Sequence, residues 1–281
     1  MVGGYRFYVA RALLLALFIA VGAIVLFPFY FLLVASFRPT RDLFISGFQL
    51  VVQFKQITLN NYYQLFVGNG AIYLSWYKNS VLITALYTIC GLFLSSLVGY
   101  GLGVYVFRGR NLIFTLVLFL LMIPLEILML PLYKLIVTIH LINTYAGIIL
   151  PYMVSPAGVF FFRQFATGIP RDYVDAGRID GCTEYGIYAR IMAPLMRPAF
   201  GAMAILLSMR SWNDFLWPLI VMRTEDMFTI PVGLAGLMSP YYNAYDRLLS
   251  GAVLATIPII IVFLFNQRAF VSGLTAGGIK G

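Results

Sequence analysis

Long apolar stretches alternate with short polar connections along the chain, and this pattern predicts its principal elements. A helix that crosses a bilayer needs about 20 predominantly apolar residues. Six stretches approach or exceed that length, at residues 12–37, 81–107, 112–132, 145–162, 199–222 and 248–265. The pattern therefore predicts an all-α polytopic membrane protein, with six transmembrane helices in a single domain over residues 1–281.

The longest polar interruption, residues 167–198, lies between the fourth and fifth apolar stretches and is called the polar loop below. Asp175 falls in the first turn of a predicted short helix, where the helix dipole favours a carboxylate. Gly181 suits the C-terminus of that helix, and Asp180 or Thr183 can cap a second helix. We therefore expect a cytoplasmic helix–bend–helix knob that fits a socket on another protein.

The second helix of the polar loop is predicted to carry an aromatic face. Residues at spacings i, i+3, i+4 and i+7 share one side of a helix. On this helix they are Tyr185, Tyr188, Ala189 and Met192. Pro194 and Pro198 are expected to end the helix, because proline has no backbone N–H to donate.

Composition and charge narrow the class and the orientation. Of the 281 residues, 62% are hydrophobic and 10% are charged, which excludes an ordinary soluble domain. The span ends that include both termini and the polar loop carry 11 lysines and arginines, against seven at the opposite ends, and the more basic side faces the cytoplasm. We expect a multi-pass protein of the bacterial inner (plasma) membrane with both termini cytoplasmic, which contacts membrane lipid and binds no nucleic acid.

Motifs for catalysis and for cofactor binding are missing from the sequence. No G-x-x-x-x-G-K-[ST] segment is present, so the chain itself is not expected to hold ATP. The single histidine, His140, leaves no histidine-based metal cluster, and Cys90 and Cys182 are far apart. The sequence therefore indicates a transport subunit without a cofactor or metal of its own, and not an enzyme.

Small residues recur every fourth position in the second apolar stretch. Gly91, Ser95, Gly99 and Gly103 would lie on one helix face, where small side chains let two helix backbones approach closely. Two interpretations stay open. The face packs within this chain, or it forms part of an interface with a second membrane subunit.

Three ionisable residues lie inside apolar stretches, where such groups are functional candidates. Arg210 and Asp214 are four positions apart and can pair on one helix face. Glu126 can meet Arg210 across the bundle, or it can face a water-filled path. These residues make a candidate substrate path.

Aromatic and amide side chains extend this candidate path. Tyr133, Asn213 and Trp217 can stack on a sugar or bind its hydroxyl groups, although aromatic residues near span ends are often interface anchors. The complete set of candidate path residues is Glu126, Tyr133, Arg210, Asn213, Asp214 and Trp217.

The polar loop resembles the E-A-A-x-x-x-G…I-x-L-P coupling loop of ABC importer permeases. The matching positions are Asp175, Ala176, Gly177, Gly181, Ile191 and Pro194. Asp replaces the Glu of the motif, Gly replaces its second Ala, and Ala193 replaces its Leu. The resemblance implies that the loop docks in a cleft of an ATPase, and the implied coupling residues also include Asp180 and Tyr185.

An ordered set of further stretches resembles the maltose-type branch of sugar importer permeases, in particular its shorter six-span subunit. These stretches are Leu59-Asn60-Asn61-Tyr62, Asn79-Ser80, Pro131-Leu132-Tyr133, Leu141-Ile142-Asn143-Thr144, Trp212-Asn213-Asp214-Phe215-Leu216-Trp217-Pro218-Leu219 and the C-terminal run from Gln267. The set covers most of the chain from Leu59 to its end.

This resemblance implies an assembly and a mechanism. The partners would be a second permease subunit, an ATPase dimer that binds ATP and Mg, and an extracytoplasmic solute-binding protein. ATP-driven closure of the ATPase pair would switch the permeases by alternating access. The Gly-rich tail, residues 271–281, would reach between the ATPase subunits as an extended segment. Its implied contact residues are Gly273, Leu274, Thr275, Gly277 and Lys280.

The implied cargo is a carbohydrate, most simply an oligosaccharide. Basic residues on the outer side together with Arg210 would suit an acidic chain, such as an alginate-like uronate. The remaining alternatives are an ABC permease for a non-sugar solute and a stand-alone membrane transporter or enzyme.

Overall fold

The computed structural model describes residues 2–39, 57–67, 72–238 and 244–276, and these parts of the chain are helical without an extended strand. In chain order the helices are α1 (Val2–Ser36), α2 (Asn60–Phe66), α3 (Ile72–Val104), α4 (Arg110–Met122), α5 (Leu125–Thr138), α6 (Tyr145–Ile149), α7 (Pro156–Thr167), α8 (Asp172–Ile179), α9 (Glu184–Leu195), α10 (Arg197–Trp212), α11 (Leu216–Val221), α12 (Ile230–Gly236) and α13 (Tyr245–Ala276). Single 3₁₀ turns follow α6 at Leu150–Tyr152 and precede α12 at Glu225–Met227.

Three of these helices are each long and apolar enough to cross a membrane, namely α1 from Phe7, α3, and α13 up to Gln267. Three bent pairs also qualify as spans: α4 with α5 at 103°, α6 and its 3₁₀ turn with α7 at 47°, and α9 with α10 at 79°. Among the described residues this gives up to six spans if each bent pair counts as one; in the last pair α9 belongs to the polar loop, and α10 is the helix of the predicted fifth span. The all-α polytopic fold predicted from the sequence is confirmed.

The predicted third, fourth and fifth spans are not single continuous helices. The fourth is interrupted between Tyr152 and Pro156. In the third, Ile123 and Pro124 adopt extended backbone angles between α4 and α5. Proline disfavours the helical conformation of the residue before it, so the helix breaks there. In the fifth, α10 ends at Trp212 and a separate short helix, α11, covers the remainder.

The described residues form two compact units, one within the ranges 1–73 and 234–255 and the other within the ranges 74–233 and 256–281. In the first unit, the buried side chain of Asn61 donates hydrogen bonds to the backbone oxygens of Ser36 and Arg38, at 2.8 and 2.9 Å. These bonds tie the start of α2 to the end of α1. At the start of α2, the Thr58 hydroxyl accepts a hydrogen bond from Asn60 N at 3.1 Å.

In the second unit, the small-residue face of α3 packs against α7 of the same chain. A Cβ atom on Gly99 would lie 2.8 Å from the Val159 carbonyl oxygen and 2.9 Å from the Arg163 nitrogen. The Ser95 hydroxyl accepts a hydrogen bond from Ser155 N at 3.1 Å. The interpretation as packing within the chain is therefore confirmed, and this face is covered and unavailable to a second subunit.

The expectation of an extended tail is wrong for its first six residues. Helix α13 continues to Ala276, so Gly273, Leu274 and Thr275 have helical backbone. Gly277 and Lys280 lie outside the described residues.

Candidate functional site

The polar loop folds as two short helices joined by a sharp bend. The bend contains Gly181 in the left-handed region, with φ of 78°, where glycine carries no Cβ penalty. Thr183, and not Asp180, caps the second helix, because its hydroxyl accepts from Gly186 N at 3.1 Å. The predicted helix–bend–helix is thus present, although α8 begins at Asp172.

Gly177 allows the two helices of the loop to pack closely. It is buried, and a Cβ atom added there would lie 2.7 Å from Ile191 Cδ1 and 3.1 Å from Ile187 Cγ1. The importer motif has alanine at the position of Gly177. Glycine at this position therefore allows the close packing of α9 on α8. Ile187 is fully buried, so α9 belongs to the hydrophobic core of the second unit.

The predicted aromatic face of α9 is wrong. Met192 is buried, whereas Tyr185 is 84% exposed and Ala189 is also exposed, so the four residues do not share one face. The cause is a π-helical turn over Tyr188–Met192, which rotates the following residues relative to a regular α-helix. Pro194 does not end the helix, which continues to Leu195 before the bend into α10.

The tip of the loop presents a mixed apolar and acidic surface. Ile179 is 87% exposed and adjoins Asp180, Gly181 and the exposed Tyr185. Asp175 and Ala176 are exposed on α8. Sequence patterning did not select Ile179, because a single apolar residue at a helix end carries no periodic signal.

An electrostatic network connects the loop with the end of α3. The Arg178 guanidinium forms ion pairs with Glu184 at 2.8 Å and with Asp175 at 3.2 Å. The hydroxyl of Tyr105 donates to the other carboxylate oxygen of Glu184 at 2.5 Å and shares a hydrogen bond with Tyr100. These polar contacts therefore attach the polar loop to the end of the long transmembrane helix α3.

The protonation states of this network follow from its contacts. Hydrogen bonds from Arg178 and Tyr105 hold the pKa of Glu184 below its ordinary value, and Glu184 raises the pKa of Arg178. Burial, and then the hydrogen bond to Glu184, raise the pKa of Tyr105. At neutral pH the carboxylate is charged and the phenol keeps its proton. Sequence patterning did not reveal the contacts of Glu184 with Arg178 and Tyr105, because the three residues lie on different elements.

A second contact joins α9 to α3 one turn earlier. The hydroxyls of Tyr188 and Ser96 share a hydrogen bond of 2.6 Å, and the Tyr188 ring lies 5.4 Å from that of Tyr100. The π turn thus places the side chain of Tyr188 in contact with α3.

The other candidate site is a cavity of about 290 Å³ in the second unit, called the polar cavity below. It brings together five of the six predicted path residues. They are Glu126, Arg210, Asn213, Asp214 and Trp217. Its volume lies near the lower end of the roughly 300–1,000 Å³ typical of ligand pockets.

Tyr133 does not line the polar cavity. Its hydroxyl accepts a 2.7 Å hydrogen bond from the guanidinium of Arg223, whose backbone nitrogen donates to Asn143. Tyr133 therefore belongs to a separate contact between α5 and the segment after α11.

The expected pairing of Arg210 with Asp214 is wrong. Helix α10 ends at Trp212, so the two residues do not share a helix face, and no ion pair joins them in the described structure. The Asp214 carboxylate lies near the backbone amides of Trp217 and Phe215, and it interacts with the charge of Arg210 without forming an ion pair. Arg210 lies 5.9 Å from the Tyr152 ring centroid, and it forms no ion pair with Glu126 within the described residues.

Trp217 is packed into the wall of the polar cavity and leaves little ring surface on which a sugar could stack. It is 1% exposed, its indole N–H donates to the Gly147 carbonyl oxygen, and its ring packs edge-on against Tyr152. Tyr152 therefore supplies the more accessible aromatic face.

Two hydroxyl groups in the cavity wall lack a hydrogen-bond partner in the described structure. They belong to Tyr87 and Thr229, which are 5% and 4% exposed. A buried polar group without a partner is costly, so these hydroxyls are suited to bind a polar ligand. Sequence reasoning missed both, because uncharged polar residues are common in apolar stretches.

Comparisons with known proteins agree on one class of membrane component. Residues 91–275 match the family model described as binding-protein-dependent transport system inner membrane component. The arabinooligosaccharides transport system permease protein AraQ of Bacillus subtilis (strain 168) is 54% identical over 276 residues, which cover 98% of each chain. The protein of the same description from Halalkalibacterium halodurans is 52% identical and covers 94% of each.

A solved structure also matches along nearly the whole chain. It is described as a bacterial ABC transporter involved in the import of the acidic polysaccharide alginate. The TM-score is 0.79 at 20% identity, with 95% of this chain and 97% of that chain covered. At this level of identity the match concerns the fold alone.

Proposed function

Because this chain belongs to the family of inner membrane components of binding-protein-dependent transport systems, we propose that it serves the uptake of a neutral, arabinose-type oligosaccharide. The chain is a permease subunit of an ABC importer for carbohydrate and not an enzyme. The observation that carries the substrate class is the 54% identity with an arabinooligosaccharide permease over almost the full length of both chains.

The charges of the polar cavity favour a neutral cargo over an acidic one. Two carboxylates, Glu126 and Asp214, line it together with one guanidinium, Arg210. A polyuronate would meet like charges there, and like charges at close range are unfavourable. Hydroxyl groups such as those of Tyr87 and Thr229 match the hydrogen-bonding groups of a neutral sugar.

ATP and Mg would be bound by a partner ATPase dimer, and the other partners would be a second permease and an extracytoplasmic solute-binding protein. The chain is a multi-pass protein of the inner membrane. In our proposal the polar loop and both termini face the cytoplasm, where Asp175, Tyr185 and the rest of the exposed tip dock in the ATPase.

Helix α3 offers a physical route between the two candidate sites. It carries Tyr87 in the wall of the polar cavity, and its Ser96 and Tyr100 both contact Tyr188 of the polar loop. Tyr87 and Ser96 are nine residues apart, about 13 Å along a helix. A displacement of the loop by the ATPase would therefore move the cavity wall through one rigid element.

The first test is co-purification of the chain from its native membrane with whatever subunits remain bound, followed by an ATPase assay. An ATPase and a second permease in the eluate, with hydrolysis stimulated by a binding protein loaded with arabinotriose, would support the proposal. Stimulation by trigalacturonate alone, reduced in Arg210→Ala, would support the acidic cargo instead. A chain that purifies alone and hydrolyses nothing would contradict both.

A second test addresses the polar cavity through the two hydroxyls without partners. Tyr87→Phe and Thr229→Val each remove one hydroxyl with little change of shape. We expect the apparent KM for arabinotriose to rise between about twofold and tenfold, the range for one neutral hydrogen bond. Thr88→Val is the matched control, because its hydroxyl is also buried without a partner but does not line the cavity. An equal effect of all three variants would contradict a sugar contact.

A further inference from the structure

A second cavity, of about 200 Å³, lies where four helices of the second unit begin or end, and is called the arginine cavity below. Gly103 from the end of α3 and Thr167 from the end of α7 line it. Three arginines contribute to its wall, Arg110 at the start of α4, Arg163 on α7 and Arg171 just before α8. No part of the polar cavity is shared with it.

The arginine cavity carries an uncompensated positive charge. No carboxylate lines it, and none of its three arginines forms an ion pair within the described residues. Three like charges around so small a volume repel each other unless an anion lies between them. The observed contacts of these arginines do not neutralise their charges, because the contacting groups are only carbonyl oxygens and an aromatic ring.

These contacts orient two of the guanidinium groups and leave most of their donors free. Arg163 stacks on the Phe114 ring, with 3.7 Å from its central carbon to the ring centroid, and its Nε donates to the Leu102 carbonyl oxygen. One Nη of Arg110 donates to the Tyr105 carbonyl oxygen at 3.2 Å. A guanidinium has five N–H donors, so each of these two retains four. An oriented guanidinium fork fits the paired oxygens of a phosphate group.

The location of the cavity favours a lipid phosphate. It lies at the ends of candidate spans, the level at which phospholipid head groups meet a membrane protein. Basic pockets between transmembrane helices at this level are suited to anionic head groups. Helix α4, whose first residue Arg110 lines the cavity, exposes Leu112, Leu116 and Phe119 further along, and these side chains provide an apolar surface for acyl chains.

We infer that the arginine cavity binds the phosphate group of an anionic phospholipid through Arg110, Arg163 and Arg171. Free phosphate has the same chemistry but does not use the adjoining apolar surface. Because Arg171, Val174 and Met192 belong to the polar loop and also line the cavity, the bound head group would link the lipid to the loop.

The test measures lipid retention by the full-length chain and does not depend on transport. Native mass spectrometry would compare the chain after exposure to phosphatidylglycerol and to phosphatidylcholine, with and without inorganic phosphate as competitor. We expect preferential retention of phosphatidylglycerol. Each arginine-to-glutamine change should weaken it roughly fivefold, and Arg110→Gln with Arg163→Gln roughly 25-fold, from about 1 kcal/mol per basic residue.

Two further variants keep the test decisive. Arg108→Gln is the matched control, because Arg108 is an exposed basic residue two positions from Arg110 that does not line the cavity. Arg171 is exposed and its side chain forms no hydrogen bond or ion pair in the described structure, so Arg171→Gln tests the site even if Arg163→Gln fails to fold.

The outcomes separate the two sources of phosphate. Retention that is lost in the cavity variants and kept in Arg108→Gln supports the lipid site. Binding of inorganic phosphate with the same dependence on arginine, without preference for phosphatidylglycerol, supports the anion site but overturns its occupation by lipid. Equal retention of both lipids and no phosphate binding, or an equal loss in Arg108→Gln, would overturn the proposal.

Discussion

The hydroxyl of Tyr105 donates a 2.5 Å hydrogen bond to the carboxylate of Glu184, which lies 79 positions later in the chain. Tyr105 follows the last turn of α3, and Glu184 opens the second helix of the polar loop. The bond therefore joins the membrane-spanning part of the second unit to the segment that we propose docks in the ATPase. It is a contact through which a displacement of the loop can reach α3.

Removing this hydrogen bond should uncouple transport from ATP hydrolysis without unfolding the chain. We expect Tyr105→Phe to lower sugar uptake severalfold relative to hydrolysis, because the loop would move with less effect on α3. The measurement is uptake per ATP hydrolysed in proteoliposomes. Glu184→Gln should act in the same direction, and the double variant should be no worse than the stronger single variant if the two residues act as a unit.

The control for that series is Tyr63→Phe, an exposed phenol on α2 in the other unit. It should leave the ratio of uptake to hydrolysis unchanged. Fully additive losses in the Tyr105 and Glu184 variants, or a similar loss in Tyr63→Phe, would show that the bond does not carry coupling.

The contribution of Glu184 should depend on pH only under acidic conditions. Its pKa is held below the ordinary value of 4.5, so its charged contacts are complete above that value and are lost as pH falls through the lowered pKa. We expect the difference in thermal midpoint between wild type and Glu184→Gln to be constant from pH 8 to pH 5. The difference should shrink below pH 4.5. A difference that changes between pH 6 and pH 8 would contradict the assignment.

The bend of the polar loop supplies an independent prediction. Gly181 has φ of 78°, and a Cβ atom there would meet nothing within 4 Å, so any cost of substitution comes from the backbone alone. Gly181→Val should cost about 1–2 kcal/mol of local stability, while Gly181→Asn should be tolerated better, because asparagine adopts this conformation more readily. Transport-linked ATP hydrolysis should fall in the first variant and be largely retained in the second, with membrane insertion normal in both. Equal hydrolysis by the two variants would mean that the bend does not require a left-handed residue.

The sequence was sufficient to predict the features of the fold and of the candidate site that depend on local pattern and on residue type. Apolar length indicated the spans, and charges within apolar stretches selected Glu126 and Arg210, which do line one cavity. Tyr133 was misplaced because its partner, Arg223, comes from a segment 90 residues away, and no pattern within the chain indicates that contact.

The sequence could not predict local departures from ideal helix geometry. The π turn over Tyr188–Met192 rotates α9, so that Tyr185 faces outward although regular spacing places it with Met192. The extended angles at Pro124 bend a predicted span by 103°. The π turn depends on tertiary packing, which can override the regular helical period at little local cost. The break before Pro124 has a local cause in the proline itself, but the sequence did not give its angle.

The packing of α3 on α7 gives the sharpest comparison between neighbouring positions. A Cβ atom on Gly99 would lie 2.7 Å from the Cβ of Phe162 and within 3 Å of two α7 backbone atoms, whereas one on Gly101 would meet nothing within 4 Å. Gly99→Ala must therefore push the two helices apart, at a cost of about 1–3 kcal/mol. Gly101→Ala should be neutral or slightly stabilising, because alanine is favoured over glycine in a helix by about 1 kcal/mol.

The thermal midpoint of the detergent-solubilised chain distinguishes these two variants. A lower midpoint for Gly99→Ala beside an unchanged or higher one for Gly101→Ala would establish close backbone approach as the reason for glycine at position 99. Since α3 also carries Tyr87 and the contacts to the polar loop, the shift in Gly99→Ala should also raise the KM for sugar. Equal midpoints for the two variants would mean that α7 yields to the added methyl group, and that the helix pair is not a rigid link between cavity and loop.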